Sequence, residues 1–187
     1  VIPQELLYDV EGAIAVITLN APQRMNTISG PMLRQLTDAL VKANEDREVR
    51  VVILTGTGRA FCAGLNLEAQ SKGTDNLSVG SGATPTNIDL RNTPPTVLFA
   101  MDKPVIGALN GSAAGYGMDL AIGCDIRIMA ADAKLAPAFV KRGVVPESGG
   151  TWLLPRMIGW AKAAELIFTG RTLSAAESLD LGLVNRV

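Results

Sequence analysis

An α/β fold is predicted for this 187-residue chain by three observations. Short β-branched runs recur along it, helical apolar spacing follows several of them, and the runs are continuously apolar, as strands covered on both faces are. Hydrophobic residues make up 48% of the sequence and charged residues 19%, enough for a packed core. The length fits one domain, taken as residues 1–187.

Taken in order, Ala13–Leu19 (AIAVITL) reads as a strand. Ser29 is a helix N-cap with Pro31 just inside, and Leu33, Leu36 and Leu40 fall on one face of the helix that follows. Val49–Thr55 reads as a second strand, ending in the loop Gly56-Thr57-Gly58. Ser71–Asn87 is rich in Gly, Ser, Thr, Asn and Pro, too polar to bury a face, and is expected to form a mobile loop. Pro94-Pro95 is expected to interrupt any helix between Ile88 and Met101. Val105–Leu109 is the next strand, Asn110–Gly117 a small-residue turn, Tyr116–Ile122 a helix and Ile126–Ala130 another strand. Helical patterns cover Gly149–Ile158 and Trp160–Phe168, and Trp152 and Trp160 are expected to pack where these helices meet the sheet. Ser174-Ala175-Ala176-Glu177 is a capping box, with Gly182 at the stop of its helix. Leu183–Val187 reads as a closing strand. Strand–helix units recur at loosely similar spacing.

Composition narrows the chemistry. There is no histidine, which removes Ser-His-Asp and Cys-His machinery and His-rich zinc sites. Cys62 and Cys124 make no disulfide framework and are expected to be small core residues in a reducing, cytoplasmic protein. The net charge is −1 with basic residues scattered singly, so neither nucleic acid nor an anionic membrane surface is an expected partner. No apolar run reaches the length of a membrane span, and the N-terminus lacks the regions of a signal peptide. Carboxylates, hydroxyls and backbone dipoles are left to do any chemistry.

Two loops offer backbone dipoles. Arg59–Leu67 (RAFCAGLNL) follows a buried strand, and Gly64 lets its backbone approach a ligand closely. Asn110–Asp119 (NGSAAGYGMD) also follows a strand and leads into a helix, whose first N–H groups favour developing negative charge. Each alone is also what a plain tight turn looks like. Facing one pocket, they would make an oxyanion hole.

Phe61–Leu67, Asn110–Leu120, Cys124-Asp125-Ile126-Arg127 and Gly143–Thr151 together resemble, in the same order, the enoyl-CoA hydratase/isomerase (crotonase) family. Lys103-Pro104-Val105-Ile106 and Phe168-Thr169-Gly170 fit the same pattern, so the resemblance covers nearly the whole chain. It implies a spiral of β-β-α units and acyl-CoA thioester substrates, with no cofactor, since coenzyme A is part of the substrate, and no metal. The oxyanion-hole donors map onto the N–H groups of Leu65 and Tyr116. Ala63, Gly64, Leu67, Gly115 and Phe139 fall among substrate-contacting positions, and Arg24 matches a region that meets coenzyme A. Relatives continue into C-terminal helices that close the site and build trimers or hexamers. That segment is expected to be missing here.

The carboxylates decide the reaction. Hydratases that the chain resembles use two glutamates, whose positions match Asp119 and Phe139: the first is a methylene shorter here, and the second cannot carry a proton. Glu147 stands where some isomerases of the family keep a catalytic acid and where its aryl-CoA dehalogenases keep a nucleophilic Asp. A single carboxylate above an enolate suits a 1,3-proton shift, so an enoyl-CoA isomerase with Glu147 as proton shuttle is the leading expectation. The other readings are a 2-enoyl-CoA hydratase using Asp119 with Glu147, a hydrolase or dehalogenase with Glu147 as nucleophile, and a truncated, non-catalytic acyl-CoA-binding fragment. From the residues alone, Asp119 and Glu147 also read as acidic groups at helix starts.

Overall fold

The apolar runs form strands, and the strands sort into two sheets that the chain visits alternately. The computed structural model describes residues 4–66, 93–146 and 148–187; Leu67, Glu147 and the segment 71–87 lie outside them. The larger sheet has the order β1-β2-β3-β5-β7, comprising β1 (Leu6–Glu11), β2 (Ile14–Leu19), β3 (Val51–Gly56), β5 (Val105–Leu109) and β7 (Ile126–Met129). Only the β1–β2 hairpin in it is antiparallel. The smaller sheet has the order β4-β6-β8-β9, from β4 (Ala60–Cys62), β6 (Ser112–Ala114), β8 (Lys134–Ala136) and β9 (Leu173–Ser174).

β3 leads to β4, β5 to β6 and β7 to β8, each time one strand in the large sheet and then one in the small. β2 is followed in the same manner by a single bridging residue, Ile28, paired in parallel with Leu65. This is the spiral of β-β-α units. Its described helices are α1 (Gly30–Glu45), α2 (Pro94–Ala100), α3 (Tyr116–Ile122), α4 (Gly150–Ile158), α5 (Trp160–Thr169) and α6 (Ala175–Asp180).

Several expected signals operate. Ser29 caps α1, its Oγ accepting from Met32 N at 3.1 Å. The α1 face centres on Met32, Leu36 and Leu40, all fully buried, with Leu33 at its margin. Each such side chain contributes about 1.5–3 kcal/mol. The capping box at Ser174 and Glu177 is complete in both directions. Cys62 and Cys124 are core residues, and burial pushes both thiols up to about 12, away from reactivity.

Pro94-Pro95 stands at a helix boundary, opening α2 after an extended Thr93, since the first helical positions need no N–H partner and favour proline's fixed φ. Other expectations are corrected. Leu183–Val187 forms no strand. It crosses the edge of β7 through one bridge, Ile128 to Arg186, and Arg127 Nε donates to the Leu183 carbonyl at 2.6 Å. Trp152 and Trp160 do not pack into the sheet. Trp160 is 76% exposed, and Trp152 meets Phe99 edge-on with Arg156 over its ring.

The turn from β2 to α1 is fixed by a residue the sequence pattern did not single out. Asn26 is fully buried with φ 54°, a left-handed conformation that Asn tolerates. Its amide nitrogen donates to the carbonyls of Thr57 (2.9 Å) and Ala60 (2.8 Å), while its carbonyl accepts from Ala21 N (2.8 Å). Asn26→Ala takes a partner from three backbone groups, of which only the Ala60 carbonyl keeps another side-chain donor, Asn110 Nδ2 at 3.4 Å, and an unfolding titration in urea is expected to show a loss of about 2–4 kcal/mol.

Candidate active site

Asn26 begins a clamp that continues for two more residues. Met25 O accepts from Ala63 N at 3.0 Å, Ile28 N donates to Gly64 O at 2.8 Å, and Asn66 N donates to Ile28 O at 2.9 Å. A parallel bridge of this register turns the central residue's own N–H and C=O away from its partner. Leu65 therefore directs its N–H away from Ile28. Gly64, at φ 103°, makes the turn that allows this, in a region costly to a residue with a Cβ.

The second loop comes to the first through two close approaches. A methyl group on Gly64 would stand 3.0 Å from the Ala114 carbonyl oxygen and 3.8 Å from Tyr116 N. One on Gly117 would overlap the Cys62 carbonyl, so the first turn of α3 rests directly on the end of β4. Gly115 N donates to Ala136 O at 2.9 Å, tying the N-cap of α3 to β8. The structure thus brings Gly64 against Ala114 and the Tyr116 nitrogen, and Cys62 against Gly117. Tyr116 is the first residue of α3, and its N–H points out along the helix rather than into the helical ladder.

Asp119, also on α3, is 2% exposed. Its Oδ2 accepts from Gly150 N, at the start of α4, over 3.2 Å. Phe139 is 6% exposed and follows β8 by three residues. Ser148 is 5% exposed, and its Oγ has no hydrogen-bond partner among the described residues. Sequence reasoning passed over Ser148 because a serine beside glycines reads as a loop residue.

Arg24 is partly buried. It pairs with Glu5 at 2.9 Å, and its Nε donates to Thr27 O at 3.2 Å. Glu5 also accepts a short hydrogen bond from Ser29 Oγ, so the ion pair sits over the N-terminus of α1. Burial pushes the Glu5 carboxyl up, but the hydrogen bonds from Arg24 and Ser29 outweigh it and hold it below its ordinary 4.5. Glu147 and Leu67, both expected at the site, lie outside the described residues. Among the described residues no cluster of three His, Cys, Asp or Glu side chains could hold a metal ion, and no helix is long and apolar enough to cross a membrane.

The enoyl-CoA hydratase/isomerase profile matches residues 9–187. The chain belongs to the enoyl-CoA hydratase/isomerase family. It is 40% identical over 185 residues to the 1,2-epoxyphenylacetyl-CoA isomerase of Escherichia coli, covering 97% of this chain and 69% of that one. It is 34% identical to the short-chain-enoyl-CoA hydratase of Clostridium acetobutylicum, covering 97% of this chain and 68% of the relative. A crystal structure of an enoyl-CoA hydratase from Bacillus anthracis superposes with a TM-score of 0.86 at 36% identity, covering 98% of this chain and 70% of that one. The chain spans only 65% of a Bacillus subtilis relative's length, at 41% identity. Family members named for isomerase and for hydratase chemistry thus stand at similar distances.

Two measurements check the geometry. Gly117→Ala is expected to lower stability by about 2–3 kcal/mol, because a backbone carbonyl cannot move aside, whereas Ser148→Ala removes an unpartnered hydroxyl and should leave the urea midpoint unchanged or raised. The Glu5 carboxyl is lower in the folded state than in the unfolded, so it stabilises above the ordinary value and loses that contribution as pH falls through the folded one. Glu5→Gln should therefore flatten the fall in stability as pH drops below the ordinary carboxylate value, measured by urea titration.

Proposed function

We propose that this chain acts on acyl-CoA thioesters, and that its reaction is a 1,3-proton shift of the enoyl-CoA isomerase kind. The N–H groups of Leu65 and Tyr116 would hold the thioester oxygen as it takes on negative charge. Such donors, fixed before the reaction begins, are often the largest single term in acyl chemistry. Support comes from the register that turns Leu65 N–H away from Ile28, and from the contact of Gly64 with the start of α3.

The choice of isomerisation is carried by one observation: the buried Asp119 carboxylate is bonded to the backbone at Gly150. An aromatic ring, Phe139, stands at the position matching the hydratases' second glutamate. The proton work then falls to Glu147. Its carboxylate removes a proton from one carbon of the enoyl chain, the electrons collect on the thioester oxygen as an enolate, and the same proton returns two carbons away. Atoms and charge balance without water or a cofactor beyond the coenzyme A of the substrate. In this reading Phe139 would form part of the wall for the acyl tail, Arg24 would meet the coenzyme A end, and Ala63, Gly64 and Gly115 would line the thioester. Assembly into a trimer or hexamer belongs to the same proposal, and the exposed rings of Trp160 and Phe168 support it.

A second reading, hydration of a 2-enoyl-CoA by Asp119 with Glu147, keeps one point in its favour, a carboxylate within one helical turn of Tyr116. Incubation with 2-enoyl- and 3-enoyl-CoA separates the two by mass and ultraviolet absorbance. The expected product has unchanged mass and a shifted double bond, and Glu147→Gln should lower turnover by about 10²–10⁴-fold while acyl-CoA still binds. Accumulation of a 3-hydroxyacyl-CoA, or full activity in Glu147→Gln, contradicts the proposal. Binding without turnover of either substrate favours a non-catalytic acyl-CoA-binding fragment.

A further inference from the structure

The start of α4 lacks a cap of its own. Its N-cap residue is Gly149, at φ 100°, which has no side chain to offer the first N–H groups of the helix. The acceptor comes instead from α3, where Asp119 Oδ2 takes the hydrogen bond of Gly150 N at 3.2 Å. The fit is close. A methyl group on Gly150 would stand 2.8 Å from the Asp119 carboxyl carbon and 2.9 Å from Oδ2, so only glycine at 150 lets the carboxylate lie against this backbone.

We infer that Asp119 is a positioning residue that ties the two halves of the site together and transfers no proton. The inference rests on the isomerase reading above. Asp119 is three residues from Tyr116 on the same helix, and Gly150 is three residues from Glu147 in sequence. One hydrogen bond therefore links the helix that begins at Tyr116 to the start of the helix that follows Glu147 in sequence. Negative charge is favourable where a helix begins, and Asp119 lies in the first turn of α3 while touching the first residue of α4. A general acid or base, by contrast, must be within hydrogen-bond reach of the proton it exchanges with substrate. The side-chain length agrees: aspartate reaches Gly150 at bonding distance.

Three substitutions at one position test this. Asp119→Asn keeps an acceptor oxygen of the same reach and loses the charge, so turnover of 3-enoyl-CoA is expected to stay within a few fold of the unsubstituted protein, with an unchanged pH profile. Asp119→Ala removes the tie. A misplacement of about 1 Å in a reacting group costs on the order of 100-fold, so kcat is expected to fall by about that factor with KM little changed. Asp119→Glu restores the hydratase side chain, and it is expected to lower isomerisation without gaining hydration. Amide hydrogen exchange at Gly150 reads the tie without any turnover: slow in the unsubstituted protein and in Asp119→Asn, faster in Asp119→Ala.

An Asp119→Asn protein that is folded, slow to exchange at Gly150 and yet inactive would overturn the inference. So would a fully active Asp119→Ala protein, or a gain of hydration in Asp119→Glu. If Asp119→Ala does not fold, the Asn and Glu variants decide. Failure of the unsubstituted protein to isomerise any enoyl-CoA would sink the isomerase reading instead, and the exchange rates would then judge the tie alone.

Discussion

Three backbone hydrogen bonds between Met25–Ile28 and Ala63–Asn66 hold the candidate site in place, and the buried amide of Asn26 holds those bonds in turn. Without that clamp the segment after β4 would have no partner on the β2 side, and the direction of the Leu65 N–H would be unset. Leaving one buried polar group unpaired costs about 1–3 kcal/mol, so the Asn26 side chain, with three backbone partners, discourages every register but one. The spiral brings its first and second units together at this point. The same contact that closes the fold therefore turns the Leu65 N–H away from Ile28.

The remaining half of the site depends on space rather than hydrogen bonds. Gly117 lies against the Cys62 carbonyl, and Gly64 lies against Ala114 and Tyr116 N. These are contacts between backbones, and any Cβ would push the loops apart. Side-chain identity at Leu65 and Tyr116 accordingly matters little to the donors. On the reading proposed above, it matters instead where the proton is handled and where the acyl tail packs, at Glu147 and Phe139. A family with this division can keep one electrostatic device and change its reaction by changing carboxylates, which is consistent with isomerase and hydratase names among relatives at 34–40% identity.

Much of this was legible in the sequence where the signal was local. β2, β3, β5 and β7 are continuous apolar runs, and their positions in the large sheet follow from that. β4, β6, β8 and β9 are two or three residues long, too short to carry a period, and they form because the large sheet delivers them side by side. β1 was missed because its outer half is exposed and ends in charged residues. The glycine spacing around Gly64 and Gly115-Tyr116-Gly117 marked both loops, and the close approach of Gly64 to Ala114 and the Tyr116 nitrogen brings them together. Asn26 and Asp119 were not legible as anchors, because the partners of the Asn26 amide nitrogen and of Asp119 lie 31 to 34 residues away along the chain. A single sequence does not announce such pairings.

The central claim is that two backbone N–H groups polarise a thioester carbonyl, and vibrational spectroscopy reads that directly. The carbonyl stretch of an enoyl-CoA, labelled with carbon-13 at C1, is compared free and bound to the Glu147→Gln protein, which is expected to bind without turning over. The account predicts a clear shift to lower frequency on binding, as the carbonyl bond weakens toward an enolate. A bound thioester whose carbonyl frequency matches that of the free molecule would contradict it.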